Sequence, residues 1–217
     1  DRSPSRGLGD VYKRQGLGAV PHWIMTKNTA AAGLWVLYHQ HLTSAPETDY
    51  LQPHLTNATA DYPLWNDTAP TSTVFSIGTD GSINTNTQLY SFWAFTEIEG
   101  FSKFGVFEGN ANVDGPFIAC GFKPAWLWIK NYDTAQQWHL YDNAKSTQNS
   151  GTTAGRIYYT TEHPYAEVSA AENIDFLASG FKMRDSGIGV NQANTMIFMA
   201  FAEHPFGGDE VSPATAV

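Results

Sequence analysis

The sequence predicts an all-β protein: a β-sandwich of jelly-roll or concanavalin type, built from two tandem repeats that pack together. Aromatic residues make up 14% of the chain and charged residues only 15%, and aromatic and β-branched side chains suit half-buried strands. Short apolar runs alternate with clusters of Gly, Asn and Asp, which favour tight turns. The chain also matches itself at a spacing of about one hundred residues.

The internal match rests on anchors that recur in the same order. Two segments of the first half, one beginning Pro-x-Trp and one with the pattern Trp-x-Leu-Tyr, align without a gap with segments 103 residues later. The later anchors are separated by 106 residues. The matched anchors are Pro21–Asn28 with Pro124–Asn131, Trp35–Tyr38 with Trp138–Tyr141, Phe75 with Phe181, Gly81 with Gly187, and Ala94–Glu97 with Ala200–Glu203. We interpret this pattern as a duplication.

Each repeat contains four matched strand signals, of which the last is long and aromatic, as is typical of a central strand. The expected strands are Trp23–Lys27, Leu34–His39, Val74–Ile77 and Leu89–Glu97, then Trp126–Lys130, Gln137–Asp142, Phe181–Arg184 and Met196–Glu203. The second repeat has an additional opening, Phe104–Asn110 and Gly115–Ile118. We therefore expect the first repeat to have lost its first strand, which leaves an unpaired sheet edge.

The first fifteen residues differ in character from the rest of the chain. Ser5–Gln15 correspond, residue for residue, to the translation of a common transposase-based sequencing adapter, and such segments are set aside before fold reasoning. We expect residues 1–15 to be a disordered artefact, the first repeat to span 16–103, and the second repeat with a short tail to span 104–217. The alternative is a genuine basic arm.

The charge of the chain argues against nucleic-acid and membrane-surface partners. Its 12 Lys and Arg stand against 21 Asp and Glu, a net charge of −9. Four of those basic and two of those acidic residues lie in the first fifteen, so the remainder carries −11. Phosphate backbones and anionic lipids repel such a protein. No apolar run approaches the roughly 18 residues that a membrane helix requires, so membrane insertion is not expected.

Motifs for metal, cofactor or nucleophilic chemistry are absent from the sequence. It has no Gly-x-Ser-x-Gly elbow, no phosphate-binding glycine loop and no paired cysteines. Cys120 is the single cysteine, and we interpret it as a small buried hydrophobe. His39, His41 and His54 lack a recognised metal spacing, and we interpret them as surface and turn residues. We predict no metal, no cofactor and no enzymatic activity.

The alternative function is a carbohydrate-active enzyme with a lectin-like sandwich. Glu97 and Glu99 are two residues apart, and on a strand their carboxylates would point the same way, roughly 6.5–7 Å apart. Paired carboxylates are the catalytic groups of glycosidases. Against this, the second repeat keeps Glu203 but places Pro205 where the second acid would fall. A glutamate shared by both strand ends is more typical of a hydrogen bond to a neighbouring loop.

The best ligand-binding candidate is the turn-rich segment Asp61–Asp67. Most of the seven tryptophans recur at matched strand positions, as core packing of a repeat demands. Trp65 has no such partner, so we expect it to be an exposed recognition residue. Tyr62, Asn66 and Asp67 are its neighbours in the proposed site.

Taken together, these segments resemble an uncharacterised domain that is repeated in bacteriophage and prophage tail and fibre proteins and is common in marine metagenomes. The segments that carry the resemblance are Gly16–Pro21, Trp35–Tyr38, Leu55–Ser72, Glu97–Gly105, Gly109–Phe117 and Ala200–Phe206. The resemblance covers Gly16 to the C-terminus. It implies a virion location outside the bacterial cell, a structural or host-recognition role, and no catalytic residues.

Two functions without catalysis follow from that resemblance. In the first, the chain adheres to a host-surface glycan or to another tail subunit, and the full-length parent is a homo-oligomer whose weak sites gain avidity. In the second, the chain is an architectural spacer with no ligand. A surface without aromatic side chains clustered at loop tips would favour the spacer, and a Trp65 packed in the core would count against recognition.

Overall fold

The computed structural model describes residues 12–14, 16–145, 149, 158–160, 173–187 and 189–206. The described chain is nearly all β with antiparallel sheets, which confirms the predicted all-β sandwich class. It divides into two compact units, Asp1–Thr96 and Glu97–Val217. The division falls before the expected 103/104 boundary, because the strand that begins at Ser102 pairs entirely within the second unit.

The first unit is built around a three-stranded antiparallel sheet. Its strands are β1 (Tyr12–Arg14), β2 (Trp23–Asn28), β3 (Trp35–His39), β4 (Asp49–Tyr50), β5 (Ala60–Asp61), β6 (Val74–Ser76) and β7 (Tyr90–Phe95). The order of the main sheet is β3-β2-β7, while β4 pairs with β5 and β1 with β6. A 3-10 turn (Pro46–Thr48) and a one-turn helix, α1 (Gly81–Asn84), connect these strands.

The main buried cluster of the first unit lies on one face of this sheet, and Trp23, Leu37 and His39 are buried on the other. Strand alternation places Ile24 of β2 and Val36 of β3 on the face of the main cluster. They pack with the rest of a buried cluster, whose members are Tyr38, Leu64, Trp65, Phe75, Ile77 and Ile83, with Phe92 and Ala94 of β7 partly buried against it.

The second unit is a sandwich of a five-stranded and a three-stranded sheet. Its strands are β8 (Ser102–Glu108), β9 (Phe117–Ala119), β10 (Pro124–Asn131), β11 (Trp138–Asp142), β12 (Tyr158–Thr160), β13 (Ile174–Leu177), β14 (Gly180–Met183) and β15 (Thr195–Ala202). The sheet orders are β12-β11-β10-β15-β8 and β13-β14-β9. One buried cluster draws side chains from both sheets, including Leu127, Phe181 and Phe198.

The aligned segments of the two units share the same strand register. The corresponding pairs are Trp23 with His39 and Lys27 with Trp35 in the first unit, and Trp126 with Asp142 and Lys130 with Trp138 in the second. The turn before the first aligned strand is also shared. Gly18 and Gly121 have φ values of 70° and 79°, a left-handed conformation that favours glycine.

The expectation that residues 1–15 are disordered is wrong for Tyr12–Arg14. These residues form β1, in which Lys13 lies opposite Phe75, just as Ile118 lies opposite Phe181 in the second unit. A β-ladder is made by main-chain groups, so an extended segment of unrelated sequence is able to occupy a strand edge. Residues 1–11 and 15, and the tail 207–217, lie outside the described residues.

The expectation that β7 is a central strand is also wrong. Among the described residues β7 pairs with β2 alone, whereas β15 lies between β10 and β8. No described segment of the first unit corresponds to β8. The consequence is seen in burial: every residue of β7 is at least partly exposed, whereas Met196–Ala200 of β15 are buried.

Candidate functional site

The prediction that Trp65 is an exposed recognition residue is wrong. Its side chain is 1% exposed, and its ring meets that of Tyr38 edge-on at a centroid distance of 5.8 Å. The segment folds back on the core because the Gly78 N–H donates to the Leu64 carbonyl at 2.6 Å. A side chain at position 78 would be too close to the Pro63 carbonyl. Trp65 is therefore a core residue.

The other three residues of the predicted ligand site do lie at the surface. Tyr62 is 45% exposed, and its hydroxyl donates to Asp80 Oδ2 at 3.3 Å. Asn66 and Asp67 are exposed in a left-handed turn with φ values of 54° and 44°. Without the Trp65 ring beside them they offer one aromatic side chain and a polar turn. Ligand binding by these residues remains a prediction.

Glu97 and Glu99 do not lie on a strand. β7 ends at Phe95 and Glu97 lies in the segment that follows it, while Glu99 belongs to a tight turn that an isolated bridge between Ile98 and Ser102 closes. Both nevertheless line one cavity of about 360 Å³. The strand geometry on which the glycosidase alternative was based is therefore wrong, although the two acids do share a cleft.

Within this cleft Glu97 is held in an ion pair. Its Oε2 lies 3.0 Å from Lys103 Nζ, and its Oε1 accepts the Phe104 N–H at 3.1 Å. A carboxylate that is neutralised and anchored in this way is poorly suited to act as a nucleophile. The equivalent Glu203 accepts from Asn143 Nδ2 at 2.8 Å, which confirms the expected hydrogen bond to a neighbouring loop.

Cys120 lines the same cleft but is buried, as the sequence predicted. Burial raises the pKa of its thiol to about 12, the nearby Lys103 opposes this, and Glu97 adds to it. The thiolate is the reactive form of cysteine. Cys120 therefore remains a protonated thiol at neutral pH.

A different surface of the first unit exposes an aromatic platform, which we define as Met25, Lys27, Trp35 and Trp93. These residues lie on the face of the β3-β2-β7 sheet opposite the core, because they alternate with core-facing neighbours. Trp35 and Trp93 stack with ring centroids 5.6 Å apart and an interplanar angle of 25°. Trp93 is 39% exposed, and Lys27 Nζ lies 6.0 Å from the Trp35 ring centroid.

The sequence analysis assigned Trp35 to the core because it aligns with Trp138. Trp138 is indeed fully buried, but Trp35 is half-buried. The useful signal was Trp93, which aligns with Met199 and so departs from the repeat. An unmatched tryptophan at a strand position that faces away from the core is a signal for such a surface, and Trp93 carries it.

The part of the chain that the structure describes contains neither a cluster of metal-ligating side chains nor a membrane-spanning helix. No three or more His, Cys, Asp or Glu side chains lie together there in a way that could hold a metal ion. His39 and His41 are neighbours, with ring centroids 5.8 Å apart. None of the described helices is long and apolar enough to cross a membrane.

Residues 11–205 match a family described as "Domain of unknown function (DUF7483)". The chain belongs to the DUF7483 family. The match spans both units and begins inside the segment that resembles an adapter. No curated protein and no solved structure matches the chain.

All three surfaces of this DUF7483 chain fall within the matched span: the Tyr62 turn, the Glu97 cleft and the aromatic platform. The family description assigns no activity. A function for the DUF7483 chain is therefore argued from its geometry, in which the aromatic platform is the surface best suited to a ligand.

Proposed function

We propose that this chain is a non-enzymatic adhesion module of a bacteriophage tail or tail fibre, and that its aromatic platform binds a glycan of the bacterial surface. The observation that carries the proposal is the stacked pair of the half-buried Trp35 and the exposed Trp93. Support for the tail setting comes from the sequence resemblance, which covers the chain from Gly16 onward.

The chemistry of the platform suits a sugar ring. One face of a pyranose is a patch of C–H groups, which packs well on an exposed aromatic ring, while its hydroxyls require polar neighbours. Lys27 supplies an ammonium beside Trp35, with one of its three donors used by the Gly33 carbonyl at 2.6 Å. Ser91 lies opposite Lys27 in the β2–β7 register, so a hydroxyl group borders the same surface.

A shallow platform of this size gives weak binding to a single sugar. We expect useful adhesion to come from several copies acting together in an oligomeric parent protein, because linked sites gain avidity without new contacts. The net charge of −9 on the whole chain favours a neutral glycan over a phosphorylated one.

The test is a glycan-array screen of the full chain, tetramerised through a biotin tag, with two matched variants. Trp93→Ala removes a ring that is 39% exposed, and Tyr62→Ala removes one that is 45% exposed. Because both side chains reach the surface, neither change should unfold the protein, and thermal unfolding checks this. We expect Trp93→Ala to lower the glycan signal at least about tenfold, equivalent to roughly 1.4 kcal/mol, while Tyr62→Ala retains it.

The remaining outcomes would overturn the proposal in different ways. Loss of binding in Tyr62→Ala with retention in Trp93→Ala would move the glycan site to the Asn66 turn. A folded chain that binds no glycan would refute glycan adhesion, and a pull-down with purified tail proteins would then test a protein target.

A further inference from the structure

The outer edge of β7 corresponds to the edge of β15 that pairs with β8 in the second unit. β7 and β15 are aligned, and each pairs with the preceding aligned strand in the same register: Lys27 with Ser91, and Lys130 with Ile197. β15 then pairs along its other side with β8, from Phe201 opposite Ser102 to Thr195 opposite Glu108. Among the described residues, β7 has no strand in that place.

The backbone groups at this edge point outward. In the β2–β7 ladder, Thr29 N–H donates to the Leu89 carbonyl at 2.8 Å, so the odd-numbered positions of β7 face β2. The alternation of an antiparallel ladder turns the N–H and C=O groups of Tyr90, Phe92 and Ala94 to the opposite side. In β15 the corresponding even positions face β8, as the Ala202 N–H to Phe101 carbonyl bond of 2.9 Å shows.

Side-chain packing at the edge is equivalent in the two units as well. Phe92 packs against Phe75 with a ring-centroid distance of 5.2 Å, and Phe198 packs against Phe181 at the same distance. Phe198 is 1% exposed because β8 covers it. Phe92, which lacks that cover, is only half-buried.

The covering strand must carry a glycine at one position. Gly105 of β8 lies opposite Phe198, and a Cβ atom there would be 2.5 Å from the Phe198 ring. Two places further along, Phe107 joins the core. Phe92 and Phe75 share the 5.2 Å ring spacing of Phe198 and Phe181, although their interplanar angle is 50° rather than 80°. By this partial correspondence, a glycine is expected opposite Phe92 at the edge of β7.

We propose that the open edge of β7 is a docking site for a strand of the β8 type, donated by another repeat of this family. The occupant is an extended segment of seven residues with the pattern Ser-Lys-Phe-Gly-Val-Phe-Glu, in which the glycine lies over Phe92. Main-chain hydrogen bonds to Tyr90, Phe92 and Ala94 supply affinity, and the glycine supplies specificity, as in other cases of strand addition to a sheet edge. The role of this edge is to join repeats into a longer array.

The test uses the full chain and a nine-residue peptide with the sequence of Phe101–Gly109. In β8 the N–H groups of Gly105 and Phe107 face the partner strand, and that of Val106 faces away. We expect saturable binding of the unmodified peptide. N-methylation at the Phe107 position should weaken it at least about tenfold, and N-methylation at the Val106 position less than about threefold. A peptide with the change Gly105→Val should also lose at least about tenfold.

A photo-reactive residue in place of Val106 locates the bound peptide, because labelled fragments are identified by mass spectrometry. Labelling of Tyr90–Phe95 supports the proposal. Labelling of β15 would mean that the peptide exchanges with the chain's own β8, which would overturn it. The proposal would also be overturned by equal affinity for both N-methylated peptides or by the lack of saturable binding. A third contrary result is a dimer of the chain, detected by sedimentation, that pairs through the β7 edge and excludes the peptide.

Discussion

The buried ammonium of Lys130 donates to the carbonyl of Gln136 at 2.6 Å, and 103 residues earlier Lys27 makes the same 2.6 Å bond to Gly33. In both units the lysine is the next-to-last residue of its strand, and its hydrogen bond secures the loop that leads to the next strand. The two bonds differ in their exposure to solvent, since Lys130 is 0% exposed and the Lys27 bond is at the surface. The same contact is therefore expected to contribute differently to the free energy of unfolding in the two units.

This difference predicts the effect of replacing each lysine by methionine, which keeps most of the apolar stem. Lys130→Met leaves the Gln136 carbonyl in the interior without its donor, so we expect a loss of about 2–3 kcal/mol in the free energy of unfolding. Lys27→Met, the matched control, should cost less than about 1 kcal/mol because water replaces the donor. Urea unfolding measures both values, and equal losses would contradict the interpretation.

Thr26 predicts a stabilising substitution. Its hydroxyl is buried and has no hydrogen-bond partner among the described residues, and the aligned residue of the second unit is Ile129, a core side chain. Burying an unpaired hydroxyl costs roughly 1–3 kcal/mol. Thr26→Val keeps the shape and removes the hydroxyl, so we expect the free energy of unfolding to rise by about 1 kcal/mol. Thr26→Ser, which keeps the hydroxyl and loses a methyl group, should lower it. A less stable Thr26→Val protein would show that the hydroxyl has a partner.

The buried side chain of His139 leads us to expect a loss of stability in acid. Burial lowers the pKa of its imidazole from 6.5 to about 3, a hydrogen bond that the imidazole donates to the Gln137 backbone opposes this, and Lys130 adds to the lowering. The unfolded chain therefore binds a proton that the folded chain does not. The stability that this neutral histidine contributes is complete above pH 6.5 and is lost progressively as the pH falls towards 3.

The matched variant is His139→Val, because position 139 aligns with Val36. Between pH 6.5 and pH 5 we expect the native protein to lose about 2 kcal/mol more than this variant, given roughly 1.4 kcal/mol per pH unit. His54, whose pKa is lowered by burial and then by Lys27, is present in both proteins and cancels in the comparison. Identical pH profiles from urea unfolding at each pH would contradict the assignment.

The buried position of Cys120 leads us to expect slow modification of its thiol in the folded protein. With its pKa raised to about 12 and its side chain buried, the thiolate population at pH 8 is very small. We expect a chromogenic disulfide reagent to modify native Cys120 at least about a hundredfold more slowly than the urea-unfolded chain. Rapid modification of the native protein would indicate an open, reactive thiol in the Glu97 cleft.

The sequence by itself determined the fold class and the main strands of both units. Strand alternation and turn residues are local signals, and the two aligned halves of the chain show each of them twice. The strand register, in which Trp23 pairs with His39 and Trp126 with Asp142, came from the tertiary structure. The buried thiol of Cys120 was predicted from its apolar neighbours in the chain. The loop contact of Glu203 was predicted from the recurrence of a glutamate at both strand ends, although its partner Asn143 lies sixty residues away.

Only the tertiary structure decided which aromatic side chains face solvent. Trp65 is in a loop segment with surface-like composition, yet the segment folds onto the core through the contact of Leu64 with Gly78, a contact between residues fourteen positions apart. Trp35 and Trp138 are aligned but differ in exposure, because burial depends on what covers a strand and not on the strand's own sequence. The open edge of β7 and the pairing of Tyr12–Arg14 with β6 have the same origin: a sheet edge accepts main-chain partners that its side-chain pattern does not specify.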